Sequence, residues 1–325
     1  MSQDPALEPP PAYVQANPAL ENLPDSAQGP SLLKYDIQKE VQETLVSLGD
    51  LKENMATVLR DYDTIVVLDD SGSMNTRDRW PAACRILRVL AEIIVKYDKD
   101  GMDLYFLNRS KNNRAHIRTA EQAMQRCPTE PSSGSTPIGK TLAKYIINPY
   151  LRSLRMRGIV GSTPKPINVI IITDGAPVVP SDDKEDVTDI IKKAAEVIKE
   201  RNLPKHQIGF QFLQVGEDQD AKKWLEQLDG DKESLFPLDI VDTRPYNGRP
   251  LDAALVLSAL IGAIHGDTDK EDASRYCRSI QEVRVRQAGT LARLPKTLDD
   301  GLREKMTSTI SDKKPEKTDS DWSSF

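Results

Sequence analysis

The sequence is poor in the residues that most often form cross-links, bind zinc or act as catalytic bases. Three cysteines, Cys84, Cys127 and Cys277, are spread over the chain, and three histidines are equally scattered. The odd number and wide spacing of the cysteines predict reduced thiols in a reducing compartment, in preference to a disulfide framework or a zinc site. No Ser-His-Asp or Cys-His arrangement follows from the spacing of the histidines. We therefore expect no enzyme that relies on these groups.

Long apolar runs and blocks of basic residues are also missing. No apolar stretch approaches the roughly 20 residues that a membrane-spanning helix needs. The N-terminus lacks the charged and then apolar pattern of a secretory signal. The formal net charge is -6, which disfavours nucleic acid and anionic membranes as partners. These absences predict a soluble, cytoplasmic protein without a membrane span.

Within residues 61–266, apolar β-branched segments alternate with amphipathic ones. The two most apolar segments, 64–69 and 167–173, are typical of strands buried on both faces. Strands that alternate with helices predict an α/β fold with a doubly wound, mostly parallel central sheet and helices on both faces. Further strands are predicted at 103–107, near 116–117, at 207–215 and at 238–241, and helices at 120–126, 137–154, 187–200, 221–228 and 251–264.

The N-terminal residues 1–30 are rich in proline and lack periodicity, which predicts a disordered segment. They contain the sequence Pro-Pro-Ala-Tyr, in which Pro10, Pro11 and Tyr13 match the PPxY ligand of WW domains. Such a stretch is extended in advance as polyproline II and fits an aromatic groove. The alternative interpretation is a proline-rich linker that happens to contain one tyrosine.

Helical extensions are predicted on both sides of the main domain. In residues 31–60, apolar residues recur at helical spacing, which predicts helices that cover part of the main domain. Residues 267–310 are predicted as a more polar helical extension, and the charged, serine-rich residues 311–325 as a disordered tail.

Hydroxyl and carboxylate side chains are placed where the two buried strands end. Asp69 ends the first strand, and Ser71 and Ser73 come two and four residues later. Asp174 follows the second strand, and Thr136 opens a helix between them. If the two strands are neighbours at the point where the strand order reverses, all five side chains converge in one crevice. Two carboxylates and three hydroxyls form a hard-oxygen set that suits Mg²⁺ first, with Mn²⁺ or Ca²⁺ as alternatives.

This pattern resembles the metal-ion-dependent adhesion site (MIDAS) of von Willebrand factor type A (vWA) domains: D-x-S-x-S, then a separate Thr, then a separate Asp at a strand end. The resemblance covers about residues 60–265 and is closest to stand-alone intracellular fungal members. It implies a divalent cation at the carboxyl edge of the sheet and a protein partner whose Asp or Glu completes the coordination. The chain is therefore expected to be a non-enzymatic adaptor, and the PPxY motif is expected to recruit a WW-domain protein such as a ubiquitin ligase.

Two other interpretations compete for the same residues. Asp69 and the serines could simply cap a helix, although capping does not explain Thr136 or Asp174. Residues 134–141 also match the P-loop pattern GxxxxGK[ST], which would make the chain a nucleotide-binding enzyme. A P-loop requires a buried strand that leads directly into its first glycine, and the preceding residues 126–133 contain two prolines and no apolar run.

Overall fold

The strand that precedes Asp69 lies in the middle of a six-stranded sheet. The computed structural model describes residues 29–47, 59–160, 164–175, 177, 186–230, 236–248 and 251–262. The strands are β1 (Asp63–Leu68), β2 (Met102–Phe106), β3 (Arg114–Ile117), β4 (Ile167–Thr173), β5 (Ile208–Gln214) and β6 (Val241–Arg244).

The order of the strands is β3-β2-β1-β4-β5-β6. All neighbouring pairs are parallel except β2 with β3, which is antiparallel at the edge of the sheet. Val66 of β1 pairs with Leu104 on one side and with Ile170 on the other. The chain thus winds outward from β1 in both directions, and the crevice between β1 and β4 is the switch point at which open α/β sheets bind ligands.

Helices cover both faces of the sheet. They are α1 (Gly29–Ser47), α2 (Arg79–Tyr97), α3 (Ala120–Arg126), α4 (Ile138–Thr141), α5 (Asn148–Val160), α6 (Val187–Glu200), α7 (Gln219–Gly230) and α8 (Ala253–Gly262). A π-helical segment, Leu142–Ile147, joins α4 to α5. The predicted α/β class, with a mostly parallel sheet between two helical layers, is confirmed.

Successive residues of β1 point into two separate cores, because side chains alternate along a strand. Val66 and Leu68 pack with α1, α2, α3 and α8. Ile65 and Val67 pack with the α4 to α5 segment, α6 and α7. All residues of β4 and of β5 are buried, as expected for strands that are covered on both faces.

Helix α1 is part of the first core, as the apolar periodicity predicts. Its residues Ile37, Val41 and Leu45 are buried. Glu40 of α1 also accepts a hydrogen bond from the N–H of Ala253 at 2.8 Å, and forms an ion pair with Arg85. The carboxylate therefore satisfies a free N–H at the start of α8, where the helix dipole favours a negative charge.

Some predicted boundaries differ from the structure. β6 occupies Val241–Arg244 instead of 238–241, because pairing with β5 decides its register and an edge strand tolerates polar residues. The predicted single helix 137–154 contains the π-helical segment and continues to Val160. The predictions for 1–28, for residues 48–58 of the helical extension 31–60 and for 267–325 lie outside the described residues.

Within the ranges given above, no helix combines the length and the apolar character needed to cross a membrane.

Candidate metal site

The loops that follow β1 and β4 meet at the carboxyl edge of the sheet. Asp69 comes directly after β1 and Asp174 directly after β4, and both side chains are fully buried. The N–H of Asp69 donates to the carbonyl of Ile172 at 2.9 Å, which extends the contact between the two strands by one residue. Two aspartates that are more than a hundred residues apart in sequence are thereby placed side by side.

A chain of hydrogen bonds connects the two carboxylates. Oδ1 of Asp69 accepts from the N–H of Ser71 at 2.8 Å. The hydroxyls of Ser71 and Ser73 are 3.0 Å apart, and the hydroxyl of Ser73 donates to Oδ1 of Asp174 at 2.9 Å. Four of the five predicted ligands therefore form one hydrogen-bonded set. Ser73 is the exposed member of this set, so the site opens to solvent there.

Thr136, the fifth predicted ligand, is buried at the end of a segment that docks on the same loop. The N–H of Ser132 donates to the carbonyl of Asp70 at 2.7 Å, and the N–H of Gly72 donates to the carbonyl of Gly134 at 2.9 Å. These bonds hold residues 132–136 against the loop that carries the two serines.

Asp70, which is a variable position of the D-x-S-x-S pattern, orients the surrounding loops. Its carboxylate accepts from the N–H groups of Asn108 at 2.8 Å and Arg109 at 3.1 Å. The amide of Asn108 in turn donates to the carbonyl of Ser135 at 2.9 Å. Burial raises the pKa of Asp70, whereas these hydrogen bonds lower it. The bonds connect three loops at this edge, and the sequence pattern alone did not indicate this role.

Burial makes the negative charge of the site costly. The pKa of Asp69 is raised from 3.8 to about 6, mainly by desolvation and to a smaller extent by the nearby charge of Asp174. Hydrogen bonds from Ser71 and Thr173 act in the opposite direction because they stabilise the ionised form. The pair of carboxylates is thus an unfavourable concentration of negative charge that a cation would relieve.

Two residues that sequence reasoning missed complete the site. Nη1 of Arg79, in the first turn of α2, lies 2.5 Å from Oδ2 of Asp174. The hydroxyl of Thr173 donates to Oδ2 of Asp69 at 2.7 Å. Thr173 could have been recognised, since it is a hydroxyl at the end of the strand beside Asp174. Nothing in the sequence indicates Arg79, because the contact depends on how α2 packs next to β4.

The residues present fit a hard divalent cation. Every side chain of the set offers oxygen, with two carboxylates and three hydroxyls, which is the chemistry that Mg²⁺, Mn²⁺ and Ca²⁺ prefer. In the part of the chain that the structure describes, no group of three or more His, Cys, Asp or Glu side chains could hold a metal ion. A site of the present kind has fewer carboxylates than that, since three of its five side chains are hydroxyls.

The P-loop alternative lacks its expected context in the structure. The strand that precedes residues 134–141 is β3, a short edge strand that ends at Ile117, and α3 lies between the two. Lys140, which would contact the phosphates, is exposed on α4. The geometry therefore does not support a P-loop at residues 134–141.

The predicted WW ligand, with Pro10, Pro11 and Tyr13, lies outside the described residues.

Comparisons with known proteins identify no family for the chain. No family model matches it, and no curated protein matches it. Among solved structures, it is similar to the pilus adhesin SpaC from Lactobacillus rhamnosus GG, with 12% sequence identity and a TM-score of 0.36. The match covers 69% of this chain and 31% of the adhesin. A likeness at this level bears on neither the family nor the function of the chain.

Proposed function

We propose that this chain is a vWA-type, non-enzymatic protein-binding module that acts in the cytoplasm and depends on a divalent cation, most simply Mg²⁺. Asp69, Ser71, Ser73, Thr136 and Asp174 would hold the cation, directly or through water. The observation that carries the proposal is the convergence of the four hydrogen-bonded members of this set at the switch point between β1 and β4.

The charge balance of the site supports binding of a cation. Asp69 and Asp174 are both fully buried; Asp174 pairs with Arg79, whose side chain is 17% exposed, whereas Asp69 accepts hydrogen bonds from the uncharged groups of Ser71 and Thr173. One negative charge is left without compensation in a place where charges are expensive. A divalent cation would offset that charge and would be bound by oxygens that are already oriented.

The chemistry of the donors supports recognition of a carboxylate partner. Hydroxyl groups donate less charge to a metal ion than carboxylates do, so a cation held by this set would remain strongly electrophilic. Ser73 lies at the exposed side of the site, where a partner's Asp or Glu could approach. An acidic side chain is therefore the ligand that would best complete the coordination.

Calorimetric titration of metal-stripped protein tests the proposed site. Mg²⁺, Mn²⁺ and Ca²⁺ are titrated into the wild type, into Asp174→Asn and into Asp78→Asn, whose exposed carboxylate lies near the site but outside the set. We expect one cation per chain in the wild type and in Asp78→Asn, and loss of binding in Asp174→Asn. ATP and Lys140→Ala are included, since ATP binding that requires Lys140 would establish the nucleotide-binding alternative instead.

The adaptor role is tested on the full chain in two further steps. Proteins retained by the immobilised wild type in Mg²⁺ should be released by EDTA and should not be retained by Asp69→Asn. A separate titration with a WW domain should show binding that is lost on Tyr13→Ala and is unaffected by EDTA, because the proposed WW ligand lies in a different segment. Retention that is insensitive both to EDTA and to Asp69→Asn would refute the metal-dependent mechanism.

A further inference from the structure

Two cysteines that are far apart in sequence meet beside the candidate site. Cys84 lies in α2, and Cys127 follows the last residue of α3. They are 43 positions apart, yet their sulfur atoms are 3.0 Å apart. Both are free thiols of intermediate exposure at the margin of the first core. The wide sequence spacing suggested isolated thiols, and the packing of α3 on α2 places this pair in contact.

The geometry favours a bond between the two sulfurs. A disulfide has an S–S distance of about 2.05 Å, so an approach of about 1 Å closes the bond. The hydrogen bond to Cys84 and burial both raise the pKa of Cys127. Cys127 therefore keeps its proton more firmly than an ordinary thiol does, and we assign the first attack on an oxidant to its neighbour Cys84.

We propose that Cys84 and Cys127 form a reversible dithiol–disulfide pair, oxidised by a hydroperoxide, whose disulfide restrains the segment that carries Thr136. The Cys84 thiol releases its proton and its sulfur attacks the hydroperoxide, so that an S–O bond forms and the O–O bond breaks; the leaving oxygen takes up that proton and departs as an alcohol or water. The sulfur of Cys127 then attacks Cys84; the S–S bond forms, the S–O bond breaks, and hydroxide leaves with the proton of Cys127 as water. Two thiols are oxidised and one peroxide is reduced.

The position of the pair explains why its oxidation would reach the candidate site. Residues 128–136 begin directly after Cys127 and are already attached to α2, because Nε1 of Trp80 donates to the carbonyl of Pro128 at 3.2 Å. The same segment then donates from Ser132 to the loop after β1. A disulfide at its start would join it covalently to α2 and reduce its freedom to open.

The test uses the full chain and counts thiols after treatment with hydrogen peroxide. Intact mass should fall by about 2 Da, for two hydrogen atoms, and titratable thiols should fall from three to one, since the chain has three cysteines. In Cys277→Ser, the number of titratable thiols should fall from two to none while the protein remains a monomer. Cys84→Ser, which keeps the other two cysteines, should form no intramolecular disulfide. Dithiothreitol should restore every thiol, and circular dichroism confirms that each variant is folded.

Two further measurements on the oxidised protein test the restraint. Amide exchange of residues 128–136 should become slower than in the reduced protein. The melting temperature should rise on the order of 10 °C, as expected for a cross-link that closes a loop of this length. A wild type that keeps three thiols after peroxide treatment, or a disulfide that requires Cys277, would refute the proposed bond between Cys84 and Cys127. If the disulfide forms between these two cysteines but amide exchange of residues 128–136 is unchanged, the proposed restraint of that segment is refuted.

Discussion

Replacing Asp69 with asparagine should stabilise the metal-free protein while it removes metal binding. Asp69 is fully buried, and its pKa in the folded protein is raised from 3.8 to about 6, mainly by desolvation. Asparagine has nearly the same shape and no charge. Its amide oxygen can still accept from the N–H of Ser71, and its NH₂ group can donate to Thr173, whose hydroxyl also lies 3.1 Å from the carbonyl oxygen of Gly175.

The size of the effect follows from the pKa. A rise from 3.8 to about 6 is about two pKa units, and each unit corresponds to about 1.4 kcal/mol. At pH 7 the ionised carboxylate therefore costs the folded protein about 3 kcal/mol relative to the unfolded chain. The hydrogen bonds to the carboxylate are already included in this value, because they oppose the shift.

The sign of the pH dependence follows from the same shift. The folded protein holds the proton of Asp69 more tightly than the unfolded chain does. The contribution of this proton to the free energy of unfolding is therefore fully present below about pH 3.8 and is lost as the pH rises through about 6. Asp69→Asn should therefore exceed the wild type in free energy of unfolding by about 2–3 kcal/mol at pH 7. The difference should approach zero near pH 3.8.

Urea unfolding in EDTA, at several pH values between 3.5 and 7.5 on the order of half a unit apart, measures this difference. Asp78→Asn is the matched control, because its carboxylate is exposed and should give no comparable gain. With Mg²⁺ instead of EDTA, the wild type should gain stability by mass action and the variant should not. An Asp69→Asn protein that is less stable than the wild type at pH 7 in EDTA, or a gain that does not depend on pH, would refute the reasoning.

Three further predictions concern the neighbours of the carboxylates. Arg79→Gln removes a cation that competes with the metal for Asp174, so calorimetry should show an Mg²⁺ affinity at least about tenfold higher, and the free energy of unfolding in EDTA should be about 2–3 kcal/mol lower. Arg77→Gln removes one partner of an exposed ion pair and should change neither quantity. Gly216→Ala should lower the free energy of unfolding in urea by at least about 1 kcal/mol more than Gly248→Ala. Both glycines have φ near +80°, but a Cβ at 216 would lie 2.7 Å from Nε of Arg79, whereas a Cβ at 248 would face open space. Thr173→Val should cost about 1.5–3 kcal/mol at pH 7 and less at pH 4, where the carboxylate that it bonds is protonated; equal losses at both pH values would contradict the role of that hydrogen bond.

The class of the fold and the positions of the oxygen-bearing side chains could be predicted from local sequence patterns. Continuous β-branched runs predicted strands buried on both faces, and β4 is confirmed with its predicted bounds, Ile167–Thr173. The reason is local, because a run of this length and composition forms a strand in almost any context that can cover both of its faces. The stripe of α1 was readable for the same reason, since helical periodicity shows which side must be buried.

Which of these residues come into contact depends on how the strands and helices pack together. The order of the strands makes β1 and β4 neighbours, and this places Asp69 beside Asp174. Helix packing, which has no signature in local sequence, brings Arg79 to Asp174 and Cys84 to Cys127. The identity of the polar groups is thus a property of the sequence, whereas their distances, burial and charge balance arise from contacts between residues that are distant along the chain.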